Sequence, residues 1–142
     1  MQPVDVISDV RKPGALAVAL KRAFDLIGGA LCLILFTPIL LIVALAICID
    51  SRGPVIYKGR RFGRNGQIFV MYKFRTMVQD AEVRLADVIH LNRAVGNQVK
   101  IPDDPRCTRV GRFLRRTSID ELPNLINVVR GEMSLIGPRP HT

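Results

Sequence analysis

The chain has 142 residues, enough for one domain and not comfortably two. It is 49% hydrophobic yet carries a formal charge of +9, a pairing that suits a simple nucleic-acid binder poorly, since such chains are usually more polar. Residues 1–50 carry four basic and four acidic side chains, whereas 51–142 carry seventeen basic and eight acidic ones and so hold the whole excess. A greasy part joined to a cationic part suits an anionic membrane face and phosphate-bearing substrates. Cys32, Cys48 and Cys107 form no C-x-x-C pair, which speaks against a structural zinc site or a disulfide framework and for a reducing, cytoplasm-facing setting.

The first expected element is apolar. Residues 26–49 contain no charge and lie between Asp25 and Asp50. As one helix they would be about 36 Å long, against a bilayer hydrocarbon core of roughly 30 Å. A signal peptide fits badly, because the run is too long and an apolar patch at 15–20 precedes Lys21-Arg22. Pro38 sits mid-run and should bend the helix. Both flanks are basic, with Lys21 and Arg22 before the run and Arg52, Lys58, Arg60, Arg61 and Arg64 after it. The positive-inside tendency then places both ends on the cytoplasmic side. A kinked re-entrant helix meets both facts, and an ordinary spanning helix with a tolerated proline stays open beside it.

Downstream, Pro54-Val55-Ile56-Tyr57 reads as a short strand, and period-two alternation over 68–75 reads as a second. Asn65-Gly66 is the turn signal between them, so a hairpin is expected. Thr76 and Gln79 have capping-box spacing, predicting an amphipathic helix that buries Met77, Ala81, Leu85, Val88 and Ile89 and ends near His90 or Leu91. His90 reads as a surface residue. Residues 92–106, with Gly96, Pro102 and Pro105, read as a loop. Val110, Phe113 and Leu114 mark a short helix whose other faces carry Arg109, Arg112, Arg115 and Arg116. That basic face suits lipid head groups or a diphosphate, because arginine binds phosphate oxygens in a bidentate fork.

Ser118 and Glu121 again have capping-box spacing, predicting Asp120 and Glu121 in the first turn of a helix through about Arg130, with Gly131 as its C′ residue. Acidic residues are favoured at helix N-termini by the dipole alone. Beside an arginine cluster, however, adjacent carboxylates can divide two tasks. One attacks phosphorus, kept ionised by the helix end and nearby cations, and the other holds Mg²⁺. The closing Gly137-Pro138-Arg139-Pro140 turn is rigid and can present Arg139 to a phosphate, or be a plain surface turn.

Several ordered motifs now carry a resemblance. They are Lys21-Arg22-Ala23-Phe24-Asp25, the apolar run with its central proline, Gly53-Pro54-Val55, Lys73-Phe74-Arg75-Thr76-Met77, Thr108-Arg109-Val110-Gly111, Thr117-Ser118-Ile119-Asp120-Glu121-Leu122-Pro123 and Ser134-Leu135-Ile136-Gly137-Pro138-Arg139-Pro140. Over 21–140 the chain resembles the monotopic phosphoglycosyl transferases, the bacterial sugar transferase family of undecaprenyl-phosphate sugar phosphotransferases. The resemblance implies a mostly helical α+β fold. Residues 1–13 would be a tail, 14–52 a re-entrant membrane helix bent at Pro38, and 53–142 a small cytoplasmic catalytic domain with a short β-hairpin and amphipathic helices.

It also implies a two-step, Mg²⁺-dependent reaction at the inner membrane's cytoplasmic face. Asp120 attacks the sugar-side phosphate of a UDP-sugar, UMP leaves, and undecaprenyl phosphate takes the phosphosugar. Glu121 is then the magnesium ligand, and Arg115 and Arg139 contact phosphate; Arg112 is a phosphate-binding candidate from the basic helix face. Anionic membrane lipids are expected partners and nucleic acid is not; a homodimer stays open, as do the sugar and the pathway. Family members continue for several dozen residues beyond the Gly-Pro-Arg-Pro turn, whereas this chain ends at Thr142, so the domain is expected to be incomplete. The competing expectation is an inactive relative that serves as a membrane-anchored, lipid-binding basic module.

Overall fold

The computed structural model describes residues 14–63, 67–92 and 101–137. It is α+β and mostly helical, as expected. Helix α1 spans Ala15–Asp50, 36 residues with Pro38 inside. At 1.5 Å per residue a straight helix of that length is about 54 Å long, well beyond the apolar run. Leu31, Ile34, Leu35, Leu41, Ile42 and Leu45 are all exposed, so the middle of α1 presents hydrocarbon outward. Pro38 has no amide to give the Ile34 carbonyl, and one residue earlier the Thr37 hydroxyl donates to the Leu33 carbonyl at 2.7 Å.

The elements after α1 grip it on both sides of Pro38. Toward the N-terminus, Arg22 donates to the carbonyls of Val128 and Val129 at 2.8 and 2.6 Å. Lys21 donates to Asp25 and to Ser134, each at 2.6 Å, and the Leu135 amide donates to Asp25 at 3.2 Å. Toward the C-terminus, Val43 and Ile47 join Phe74 and Leu114 in the main apolar cluster. Asp50 accepts from the Val110 amide at 3.0 Å. Arg75 closes that end, donating to the carbonyls of Ser51 and Arg52 and to the Ser51 hydroxyl at 2.6 to 2.8 Å. Gly53 turns there at φ +122°, and a Cβ on it would run into the Arg75 guanidinium.

Strands β1 (Ile56–Phe62) and β2 (Ile68–Phe74) form the expected antiparallel hairpin, pairing Ile56 with Phe74 and Phe62 with Ile68. The Asn65-Gly66 turn lies outside the described residues. Strand β1 starts at Ile56, two residues later than expected, and runs on through Arg60 and Arg61 to Phe62. Basic side chains do not stop it, because its partner supplies the ladder. The free edge of β2 is closed by one side chain. Asn127, fully buried, accepts from the Tyr72 amide at 3.1 Å and donates to the Val70 carbonyl at 2.6 Å.

The expected amphipathic helix from Thr76 does not form. Residues 76–78 are held extended: Met77 bridges Cys107, the Thr108 amide donates to the Thr76 carbonyl, and the Val78 amide donates to the Arg106 carbonyl. Those groups are spent on a long-range partner, so a helix cannot use them. Only α2 (Leu85–Val88) and a 3₁₀ turn (Ile89–Leu91) follow, with His90 exposed.

Helix α3 (Arg109–Thr117) forms as read, capped by the Thr108 hydroxyl, which accepts from the Gly111 amide at 2.9 Å. Gly111 lies so close to the Thr76 carbonyl that no Cβ fits between them. The capping box at Ser118 is absent: Ser118 sits at φ +58° as the C-cap of α3, and its side chain caps nothing. A 3₁₀ helix (Ile119–Asn124) replaces the expected first turns, and α4 (Leu125–Arg130) follows, ending at Gly131 as expected.

A buried ion pair pins the loop ahead of α3. Arg106 and Asp104 meet at 2.7 Å with side chains 7% and 3% exposed, and Arg106 also donates to the Ala81 carbonyl at 3.1 Å. The Arg106 guanidinium beside it holds the Asp104 carboxyl below the usual carboxylate range, against the opposing effect of burial. Asp104→Ala leaves Arg106 buried and unpaired and should cost about 3–5 kcal/mol in urea unfolding at neutral pH. Because the folded pKa is depressed, the pair's contribution is present above the ordinary value of 3.8 and fades as pH falls through the folded pKa. The gap between wild type and Asp104→Ala should therefore narrow in acid.

Candidate functional site

Asp120 and Glu121 lie in the first turn of the 3₁₀ helix that follows the left-handed Ser118. That residue reverses the chain out of α3, so the acidic pair returns toward β2. Glu121 accepts from Lys73 of β2 at 2.8 Å, an ion pair whose side chains are 39% and 25% exposed. Lys73 faces this way because β2 alternates: Met71 and Lys73 share one face, while Tyr72 turns to the other and meets Arg130 of α4 at 2.7 Å.

Asp120 differs from its neighbour. Among the described residues its carboxylate joins no ion pair. Burial pushes its pKa above the usual carboxylate value, and adjacent Glu121 pushes the same way; Lys73 and Arg115 pull against them and lose. The cations expected to keep it readily ionised are therefore present, but desolvation outweighs them.

Of the residues picked out from sequence, the fold brings Asp120, Glu121 and Arg115 together. Arg115 also donates to the Cys107 thiol at 3.0 Å, which ties it to the start of α3. Arg112 is turned elsewhere. It donates to the Cys107 carbonyl at 3.3 Å and, with Arg109, lines an open cleft of about 510 Å³ between α3 and Asp50-Ser51 at the end of α1. Pro38 stays inside α1, and Arg139 lies outside the described residues. The sequence pattern does not point to Lys73: alternation marks its strand, but nothing local says which face of that strand meets an acidic pair 48 residues later.

No cluster of three or more His, Cys, Asp or Glu able to hold a metal occurs among the described residues. Mg²⁺ does not require one, since it keeps several waters and binds through one or two carboxylates plus substrate phosphates. Glu121 fits that donor set, together with substrate phosphates. The partial exposure of Glu121 leaves an oxygen accessible beside the one that Lys73 holds.

The bacterial sugar transferase family model matches residues 16–142. An undecaprenyl-phosphate glucose phosphotransferase of Komagataeibacter xylinus is 50% identical over 121 residues, which is 85% of this chain and 21% of that protein. The exopolysaccharide production protein PSS of Rhizobium leguminosarum bv. phaseoli is 47% identical over 124 residues, 87% of this chain and 57% of that protein. A UDP-glucose:undecaprenyl-phosphate glucose-1-phosphate transferase of Escherichia coli is 44% identical over 122 residues, 86% of this chain and 24% of that protein. The chain thus spans between about a fifth and three-fifths of the length of these relatives.

A carboxyl whose folded pKa is raised costs stability once ionised: the fold loses ground as pH rises from the ordinary 3.8 through the folded value. Asp120→Asn should therefore raise the thermal midpoint at neutral pH. The gain should vanish below about pH 4, where the wild-type carboxyl is protonated in both states. Melting curves of the two proteins across pH 3 to 8 in one detergent would check it.

Proposed function

The chain belongs to the bacterial sugar transferase family, and from that premise we propose that it moves a sugar 1-phosphate from a UDP-sugar to undecaprenyl phosphate through a covalent intermediate on Asp120. The observation that carries the reading is the unlike environment of two adjacent carboxylates. Glu121 is held by Lys73, while Asp120 is half-buried, out of ion pairs among the described residues, and flanked by Lys73 and Arg115.

A carboxylate partly stripped of water attacks phosphorus more readily than a hydrated one. An Asp120 oxygen forms a bond to the sugar-side phosphorus as the bridging P–O bond breaks, and UMP departs with the electron pair. A phosphate oxygen of the polyprenyl acceptor then attacks the same phosphorus and restores the free carboxylate. Lys73 and Arg115 hold the negative charge of the transferring group in place. Glu121 would hold Mg²⁺, which, when bound, would neutralise charge on the diphosphate.

Membrane placement follows from α1. Along a straight helix Arg22 and Asp50 would be about 42 Å apart, more than the roughly 30 Å hydrocarbon thickness. The same set of later elements grips both positions, and that body can occupy only one side of a bilayer. This favours a re-entrant helix bent at Pro38 over a spanning one, with the 53–142 domain on the cytoplasmic face of the inner membrane. The basic surface of α3 also suits a second reading, a membrane-anchored lipid-binding module without transfer activity.

Two measurements test these proposals. In detergent with Mg²⁺ and a panel of UDP-sugars, UMP release beyond one equivalent per chain should require undecaprenyl phosphate, and release should fall at least about 10³-fold in Asp120→Asn. Equal release by the variant would remove Asp120 as nucleophile, and no release by either would favour the binding module. For topology, single cysteines at position 12 and at Val83 in an otherwise cysteine-free chain should both react with an impermeant reagent from the cytoplasmic side. Labelling from opposite sides would establish a spanning helix.

A further inference from the structure

The hairpin carries a surface that the transfer reaction does not use. Strands β1 and β2 together hold Lys58, Arg60, Arg61 and Lys73, and no acidic residue. Cross-strand pairing sets Lys58 opposite Tyr72, Arg60 opposite Val70 and Phe62 opposite Ile68. Side chains directly opposite share a face, so those six form one stripe. At its base Tyr72 is engaged by Arg130 of α4. Toward the tip the stripe is open: Phe62 is 52% exposed, Ile68 64% and Val70 37%, with Lys58 and Arg60 exposed beside them.

Charges on an edge strand are commonly a guard against pairing with other chains. That need explains Lys58 and Arg60 but not an apolar pair set outward on the same face. The hairpin also begins at a particular level. Ile56 and Phe74, its base pair, pack with Val43 and Ile47, which belong to the apolar run of α1. Six residues of strand then reach about 20 Å from that level. A second copy of the hairpin is disfavoured as occupant, because two such stripes would bring like charges together. An anionic lipid surface satisfies both components of the stripe.

We propose that the outer face of the hairpin is a second membrane contact, which seats Phe62 and Ile68 among the head groups of an anionic bilayer while Lys58 and Arg60 engage lipid phosphates. Together with α1 it would fix the distance of the acidic pair from the bilayer, because Lys73 lies on the opposite face of the same β2 strand. The inference rests on α1 being inserted, and its test separates the two.

The chain has no tryptophan, so one introduced indole reports one place. The full chain carrying Phe62→Trp, Ile34→Trp or Val83→Trp is reconstituted in vesicles of phosphatidylcholine alone, or of equal parts phosphatidylcholine and phosphatidylglycerol, containing chain-brominated lipid. Thermal melts confirm that each variant is folded. Ile34→Trp should be quenched in both vesicles and Val83→Trp in neither. Phe62→Trp should be quenched with phosphatidylglycerol, and the apparent affinity of the contact should drop roughly fivefold for each of Lys58→Gln and Arg60→Gln.

An unquenched Ile34→Trp would show that α1 is not inserted. A quenched Ile34→Trp beside a water-exposed Phe62→Trp would overturn the hairpin contact alone. Quenching of Phe62→Trp that ignores both phosphatidylglycerol and the two charges would overturn its anionic basis. A blue shift that grows with protein density, without quenching by lipid, would assign the stripe to a second copy and equally overturn the proposal.

Discussion

One buried amide organises the molecule. Asn127 has no exposed surface, and every polar atom of its side chain is engaged. It completes the β2 ladder as a strand would, donates to Glu132 at 2.6 Å, and lends its own carbonyl to the amides of Glu132 and Met133. A two-stranded hairpin is barely stable alone; this contact welds its open edge to α4. The same residue sets the path of the chain toward Ser134 and Leu135, which hold Lys21 and Asp25. Hairpin and α4 therefore meet at one side chain, and truncating it would strand the Tyr72 amide, the Val70 carbonyl and the Glu132 carboxylate.

From that joint the acidic site takes its geometry. The 3₁₀ helix that carries Asp120 and Glu121 lies between α3 and α4, and it packs on the face of β2 that displays Lys73. Its position is fixed at one end by the left-handed Ser118 and at the other by the welded α4. Two adjacent carboxylates thereby acquire different surroundings: one neutralised by a lysine, the other driven toward protonation by lost water. Sequence proximity alone would have made them alike.

What was legible in the sequence was whatever depends on long or regular patterns. The apolar run, the alternating strand at 68–74, the basic helix at 109–117 and the Gly131 stop all stood where their periodicities and stop signals put them. Both capping boxes misled, for one physical reason. The Thr76 and Ser118 spacings describe what a chain does when its backbone groups have only local partners. Here Thr76 had been claimed by Thr108, and Ser118 by the end of α3. The pair Asp120-Glu121 was legible because adjacent acids beside arginines are conspicuous. Lys73 and Asn127 were not, because each matters only through a residue about fifty positions away.

The double grip on α1 also sets an order of events during synthesis. Arg22 and its carbonyl partner at Val128 are 106 residues apart. A ribosome adding about 5–20 residues per second needs roughly 5–20 s to cover that interval. Through it the residues of α1 already exist, and of their charged shoulder only the local Lys21–Asp25 pair can form. The nascent helix thus waits as one half of a clasp. The segment that carries Val128 and Ser134 closes it, so this part of the fold is timed by residues 106 to 113 positions downstream.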